Sequence, residues 1–75
     1  MYNKMNEGGA KLNNRLREIR QLRGLTQEEL SSKSGVSRTT IGEIESGRKV
    51  VVTNVTLEKI SNALEVKVTD IFFRD

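Results

Sequence analysis

The sequence predicts an all-α domain of five short helices, and three observations carry that expectation. Apolar residues recur at spacings of three and four, as on one face of a helix. Hydroxyl residues stand where those patterns begin (Thr26, Ser37, Thr56), and Gly24, Gly35 and Gly47 stand where they end. Between Thr26 and Gly47 lie two patterns of eight or nine residues each, joined at Gly35, with few apolar positions and many polar ones. A helix held up by its neighbours and presenting a polar face is built to touch something outside the chain.

The elements follow in order. Leu12, Leu16, Ile19 and Leu22 form the apolar stripe of an amphipathic first helix over 12–23, with Gly24 as its stop. Thr26 and Glu29 make a capping box that starts the second helix, anchored by Leu30 and ended at Gly35. Ser37 caps a third helix over 38–46, which buries Ile41 and Ile44 and closes at Gly47 in a left-handed conformation. Residues 48–55, with two cations followed by β-branched side chains, read as a loop or short extended segment. Thr56 caps a fourth helix carrying Leu57, Ile60, Ala63 and Leu64 on one face. A fifth short helix spans about 68–72, leaving Phe73 exposed.

Seventy-five residues make one small domain near the lower size limit for a single core. The domain is expected over 12–75, preceded by a flexible leader over 1–11 and with no second, ligand-sensing domain. There is no Cys for disulfides and no Cys or His for a structural zinc. The commonest general base and the thiol nucleophile are therefore missing, and the acidic residues form no convergent pair. An enzyme is not expected, nor any cofactor or metal. No apolar run approaches the ~20 residues that span a bilayer, and the leader holds no apolar signal segment. The basic first helix is compatible with an anionic membrane surface, but its apolar stripe is better used as core. Absence of Cys fits a reducing cytoplasm. The net charge of +3 favours an anionic partner, and it is concentrated before the helix pair, where 12–25 carry four Arg and one Glu.

Two helices joined by a short Gly-containing turn match a helix-turn-helix. With the flanking runs LREIRQLRGLTQEELS, SGVSRTTIGEIESG and TLEKISNALEV, residues 12–72 resemble the lambda-repressor/Cro-like (XRE-type) family of bacterial and phage DNA-binding domains. The resemblance implies a compact five-helix lambda-repressor-like fold whose third helix enters the major groove of double-stranded DNA. Base contacts are then expected from Ser37, Arg38, Thr39, Thr40 and Glu43. Arg38 forks onto guanine or else holds a phosphate. Thr39 and Thr40 touch a base edge or bond their own helix, and Glu43 accepts from cytosine or is merely a surface residue. Gln27, Arg48 and Lys49 occupy phosphate-contacting positions of the family, and Arg20 and Glu45 those of a structural ion pair. Arg15, Arg17 and Arg23 are weaker phosphate candidates, since a solvated helix face explains them equally.

The chain departs from the family at Ser31 and Ser34, at Gly42 inside the third helix, and in the apolar VVVTNV loop. Two functions compete. The first is a sequence-specific transcriptional regulator, a repressor acting as a homodimer through Ile71, Phe72 and Phe73, with Val50, Val51 and Val52 as a second surface. The alternative is an antitoxin-like or other protein-interaction module.

Overall fold

In the computed structural model the described residues are 12–48 and 52–74. The expected leader over 1–11, together with Lys49, Val50 and Val51, lies outside them. Among the described residues five helices form: α1 (Leu16–Leu22), α2 (Gln27–Ser34), α3 (Arg38–Ser46), α4 (Asn54–Leu64) and α5 (Val68–Ile71). Two short strands, β1 (Leu12–Asn14) before α1 and β2 (Phe72–Arg74) after α5, pair antiparallel with Asn13 opposite Phe73.

Local signals place the helix starts. Thr26 Oγ1 accepts from the Glu29 amide at 3.0 Å and Glu29 returns the bond to the Thr26 amide at 2.8 Å, the reciprocal capping box expected from sequence. Ser37 accepts from the Thr40 amide at 3.1 Å. One arrangement recurs: an apolar residue precedes the cap, and another stands five positions later. Leu25 with Leu30, Val36 with Ile41, Val52 with Leu57 and Val66 with Ile71 all pack in or against the core, at the positions of a hydrophobic staple.

That pattern also explains a correction. Thr53, not Thr56, caps α4: its Oγ1 accepts from the Thr56 amide at 3.2 Å. Starting three residues earlier brings Val52 and Leu57 together onto the core side and places Thr56 inside the first turn. The expected first helix is also shorter than 12–23, because 12–14 pair with the C-terminal strand. Its stripe is shifted: Leu16 and Ile19 are buried, but Leu22 is 76% exposed. A helix turns roughly 100° per residue, so the inward face runs through Leu16, Ile19 and Arg20, and Leu22 falls outside it.

Leu16, Leu30, Ile41, Ile44, Ile60, Leu64 and Ile71 are fully enclosed, and Phe72 closes the core beneath the strands. Ile71 and Phe72 are therefore core residues and not a free dimer surface; of that trio only Phe73 is exposed. Val52 is half-buried against the same core.

Helix ends are set by backbone geometry. The Gly47 amide bonds to the Ile44 carbonyl and the Arg48 amide to that of Glu43, a Schellman closure around left-handed Gly47. The same closure ends α4, from Glu65 to Asn62 and from Val66 to Ser61. Here, however, the left-handed residue is Glu65, at φ 59°. A residue with a Cβ costs about 1–2 kcal/mol in that conformation. Glu65→Gly should therefore raise unfolding free energy by about 1 kcal/mol, read from the urea midpoint; an unchanged or lower midpoint would contradict the strain.

Candidate nucleic-acid interface

The polar face expected of the helix pair is real and is organised along α3. Gln27, Arg38, Thr39, Gly42, Glu43, Ser46 and Arg48 line one surface groove of about 320 Å³. Five of the residues singled out in the sequence thus share one concave surface, although they come from the start of α2, from α3 and from the turn after it. A larger depression of about 700 Å³ lies on α2, lined by Leu25, Thr26, Glu28, Glu29, Ser32 and Lys33. Two carboxylates against one ammonium make it the poorer place for an anion.

Within the groove the side chains differ in availability. Arg38 and Thr39 are exposed and make no side-chain hydrogen bond or ion pair among the described residues. Ser37 donates to Thr40 Oγ1 at 2.9 Å while accepting from the Thr40 amide. Both hydroxyls are therefore engaged in starting α3. Glu43 is half-buried and has an interaction within the chain. A Cβ added at Gly42 would meet only the Gln27 amide nitrogen, at 4.0 Å. Nothing among the described residues demands a glycine at this helical position, where it costs about 1 kcal/mol relative to Ala. Arg48 is exposed just past the Gly47 closure, and Lys49 lies outside the described residues.

Behind the groove is the ion pair. Arg20 Nε donates to Glu45 Oε2 at 2.6 Å and Nη2 to Oε1 at 3.1 Å, while Nη1 donates to the Leu25 carbonyl at 2.8 Å. The Glu45 side chain is fully enclosed and that of Arg20 nearly so. Two further donors, unforeseen in the sequence, reach Oε1: the Gln27 amide at 3.0 Å and Arg17 Nε at 3.4 Å. Gln27 is thereby tied to α3 through one N–H, and its amide has a second to offer. Burial alone would raise the Glu45 carboxyl, but hydrogen bonds from Arg20 and Gln27, the Arg20 charge and the Arg17 bond together hold it below the usual range. The Glu45 hydrogen bond raises Arg20 against the opposing effect of burial, with the carboxylate charge adding to it.

Two other structural residues escaped the sequence reading. Asn14 donates to the Ile44 carbonyl at 3.1 Å and accepts from the Leu16 amide at 3.1 Å, tying β1 to α1 and α3. Arg23 donates from Nε to the Leu64 carbonyl at 2.7 Å, so it closes the end of α4. Ser34, one of the departures noted in sequence, accepts from the Val36 amide at 3.1 Å and supports the turn. An asparagine two residues before a helix is a recognisable cap signal; an arginine that reaches across to another helix's carbonyl leaves none.

Two helices held at a left-handed Gly35 turn, with a polar groove along the second, define a helix-turn-helix module. A family model described as helix-turn-helix matches residues 16–71. An uncharacterized HTH-type transcriptional regulator of Methanocaldococcus jannaschii is 43% identical over 61 residues, covering 81% of this chain and 91% of the relative. The HTH-type transcriptional repressor RghR of Bacillus subtilis is 34% identical over 59 residues, covering 79% of this chain but 44% of that protein. Among solved structures, the restriction-modification controller protein C.AhdI of Aeromonas hydrophila superposes with a TM-score of 0.69 at 36% identity, over 73% of this chain and 82% of that one. The chain belongs to the lambda-repressor/Cro-like (XRE-type) helix-turn-helix family.

The knot at Glu45 makes a pH-dependent prediction. A carboxyl held below its unfolded value contributes stability that is present above that value and lost as pH falls through the folded one. Glu45→Ala should cost about 3–5 kcal/mol at neutral pH by leaving Arg20 buried and unpaired. In urea titrations, the advantage of the wild type should shrink as pH falls below about 4. A difference that stays constant down to pH 2 would contradict the assignment.

Proposed function

We propose that this protein is a sequence-specific DNA-binding transcriptional regulator, a repressor that acts as a homodimer with α3 in the major groove. The observation that carries the reading is the groove along α3, which presents the Arg38 guanidinium, without a partner among the described residues, beside Thr39 and is flanked by Gln27 and Arg48. Arg38 is the base reader, able to place two parallel bonds on guanine O6 and N7, a pairing worth ~1–3 kcal/mol of discrimination. Thr39 offers a hydroxyl and a methyl to the neighbouring edge. Gln27 and Arg48 hold the backbone and set the register of α3 without reading sequence. Ser37 and Thr40 keep the N-terminus of α3 in shape and contribute to base contact through what their mutual bonds leave available.

A single small domain makes few base contacts, and two copies on half-sites about 34 Å apart multiply the specificity. Phe73, exposed on β2, is the residue we assign to the contact between copies. Repression follows from occupancy of a promoter alone, and such a regulator works in the cytoplasm. The relatives named as transcriptional regulators and a repressor, and the controller protein with the matching fold, support this class of function.

Mobility shifts with a duplex selected from a random pool test the reading against a random duplex. Arg38→Ala should lose ~1–3 kcal/mol of preference for the selected site while keeping its affinity for random DNA. Arg48→Ala should weaken both alike. Absence of retardation of the wild type at low salt would rule out the DNA-binding reading. Sedimentation of the protein with the selected duplex should give two chains per site, and Phe73→Glu should reduce this to one; a single wild-type chain per site would rule out the dimer.

A further inference from the structure

Arg15, Arg17 and Arg23 look equivalent in the sequence, yet the structure gives each of the three a different occupation. Arg23 is anchored to the Leu64 carbonyl at the end of α4. Arg15 lies over the Phe73 ring, 5.5 Å from its centroid. Arg17 alone joins the Glu45 cluster and remains mostly in solvent, with its side chain 61% exposed.

The details of that contact matter. Glu45 Oε1 receives three donors, from Arg20, Gln27 and Arg17, at 3.1, 3.0 and 3.4 Å. A carboxylate oxygen has about two lone-pair directions, so the longest of the three bonds is the most replaceable. Arg20 already matches the Glu45 charge with two bonds from a buried guanidinium. The positive charge in excess therefore rests on Arg17. Its two terminal nitrogens make no hydrogen bond among the described residues, since only Nε is engaged. Sharing one acceptor also makes Arg17 a neighbour of the Gln27 amide, which lines the groove along α3. Arg17 also lines a second depression with Asn14, Arg15, Glu18, Gln21 and Glu45 itself, where two arginines stand against the exposed Glu18 and a Glu45 already neutralised by Arg20.

We propose that Arg17 is a DNA-backbone contact that acts as a pair with Gln27, the two donors being held side by side by Glu45. The proposal rests on the DNA-binding reading above and extends its footprint from α2 and α3 onto α1. Glu45 is the positioning residue: it orients both donors, while Arg20 neutralises it so that no bare carboxylate faces a phosphate. When a phosphate arrives, the terminal nitrogens of Arg17 bind it with Nε still on Glu45, or the 3.4 Å bond is exchanged for the stronger one. An exposed ion pair is worth little, so either course costs little.

Salt dependence separates this role from a merely structural one. Each phosphate neutralised by a cation adds about 0.9 to the slope of log affinity against log salt. Binding of wild type, Arg17→Gln and Arg17→Lys to a random duplex should be measured between 50 and 200 mM salt. The weakening of binding across that range should be roughly threefold smaller for Arg17→Gln than for wild type. Arg17→Lys should restore the wild-type slope. Thermal midpoints of both variants should stay within a few degrees of wild type, as loss of an exposed pair allows. A slope unchanged in Arg17→Gln, or one that the lysine variant fails to restore, overturns the proposal. Wild type that shows no binding at 50 mM salt instead overturns the DNA-binding reading on which it rests.

Discussion

One buried carboxylate organises this small domain. Glu45 sits on α3 with its side chain enclosed, and its two oxygens collect donors from α1 and from the first residue of α2. Charge removed from water is costly unless every lone pair finds a donor, and here four donor contacts meet it. The consequence is geometric more than energetic. A buried ion pair is weak evidence for net stability, but its directed bonds run from α3 to α1 and to the start of α2 together. The orientation of α3 against the first two helices, and therefore of everything α3 presents, follows from it. Asn14 reinforces the same junction from the strand side through the Ile44 carbonyl.

Around that junction the fold is assembled from local instructions. Four helices begin with the same device, an apolar residue before the cap and another five positions later, each pair lying in or against the core. Each start thereby couples a backbone decision to a burial decision, which suits a chain near the lower size limit for one core. At α5 the cap residue is Lys67, whose side chain has no acceptor, so only the Asp70 half of the box forms, at 2.9 Å to the Lys67 amide. The ends are as systematic, with left-handed closures after α1, α2, α3 and α4. Three use glycine and one uses Glu65.

The same economy shapes the polar surface. Residues close together in sequence divide into those that build the groove and those exposed along it. Ser37 and Thr40 satisfy each other at the helix start, whereas Arg38 and Thr39 between them have no such partners among the described residues. Gln27 belongs to both groups, since its amide is bound to Glu45 and still lines the groove. Positioning and recognition are therefore not separable by residue here: a side chain that meets a ligand is held by one that also holds the fold.

Much of this was legible in the residues alone. The helix-turn-helix, its capping box at Thr26 and Glu29, the cap at Ser37, the closures at Gly35 and Gly47 and the pairing of Arg20 with Glu45 all depend on local chemistry or on family pattern, and all are present. The errors came where two local choices were equally good. Both Thr53 and Thr56 can cap a helix, and only the packing of Val52 with Leu57 on the core decides for Thr53. Leu22 continues an apolar spacing, but α1 turns it away from the core and admits Arg20 instead. Ile71 and Phe72 look like a sticky terminus until the C-terminal strand folds back onto Leu12–Asn14 and buries them. The sequence by itself determined the starts of α2 and α3 and the stops at Gly24, Gly35 and Gly47, because caps and left-handed turns are decided within a few residues. Only the tertiary structure decided which face of each helix is inside and which of the basic residues are anchored, because those depend on carbonyls and carboxylates up to 42 positions away along the chain.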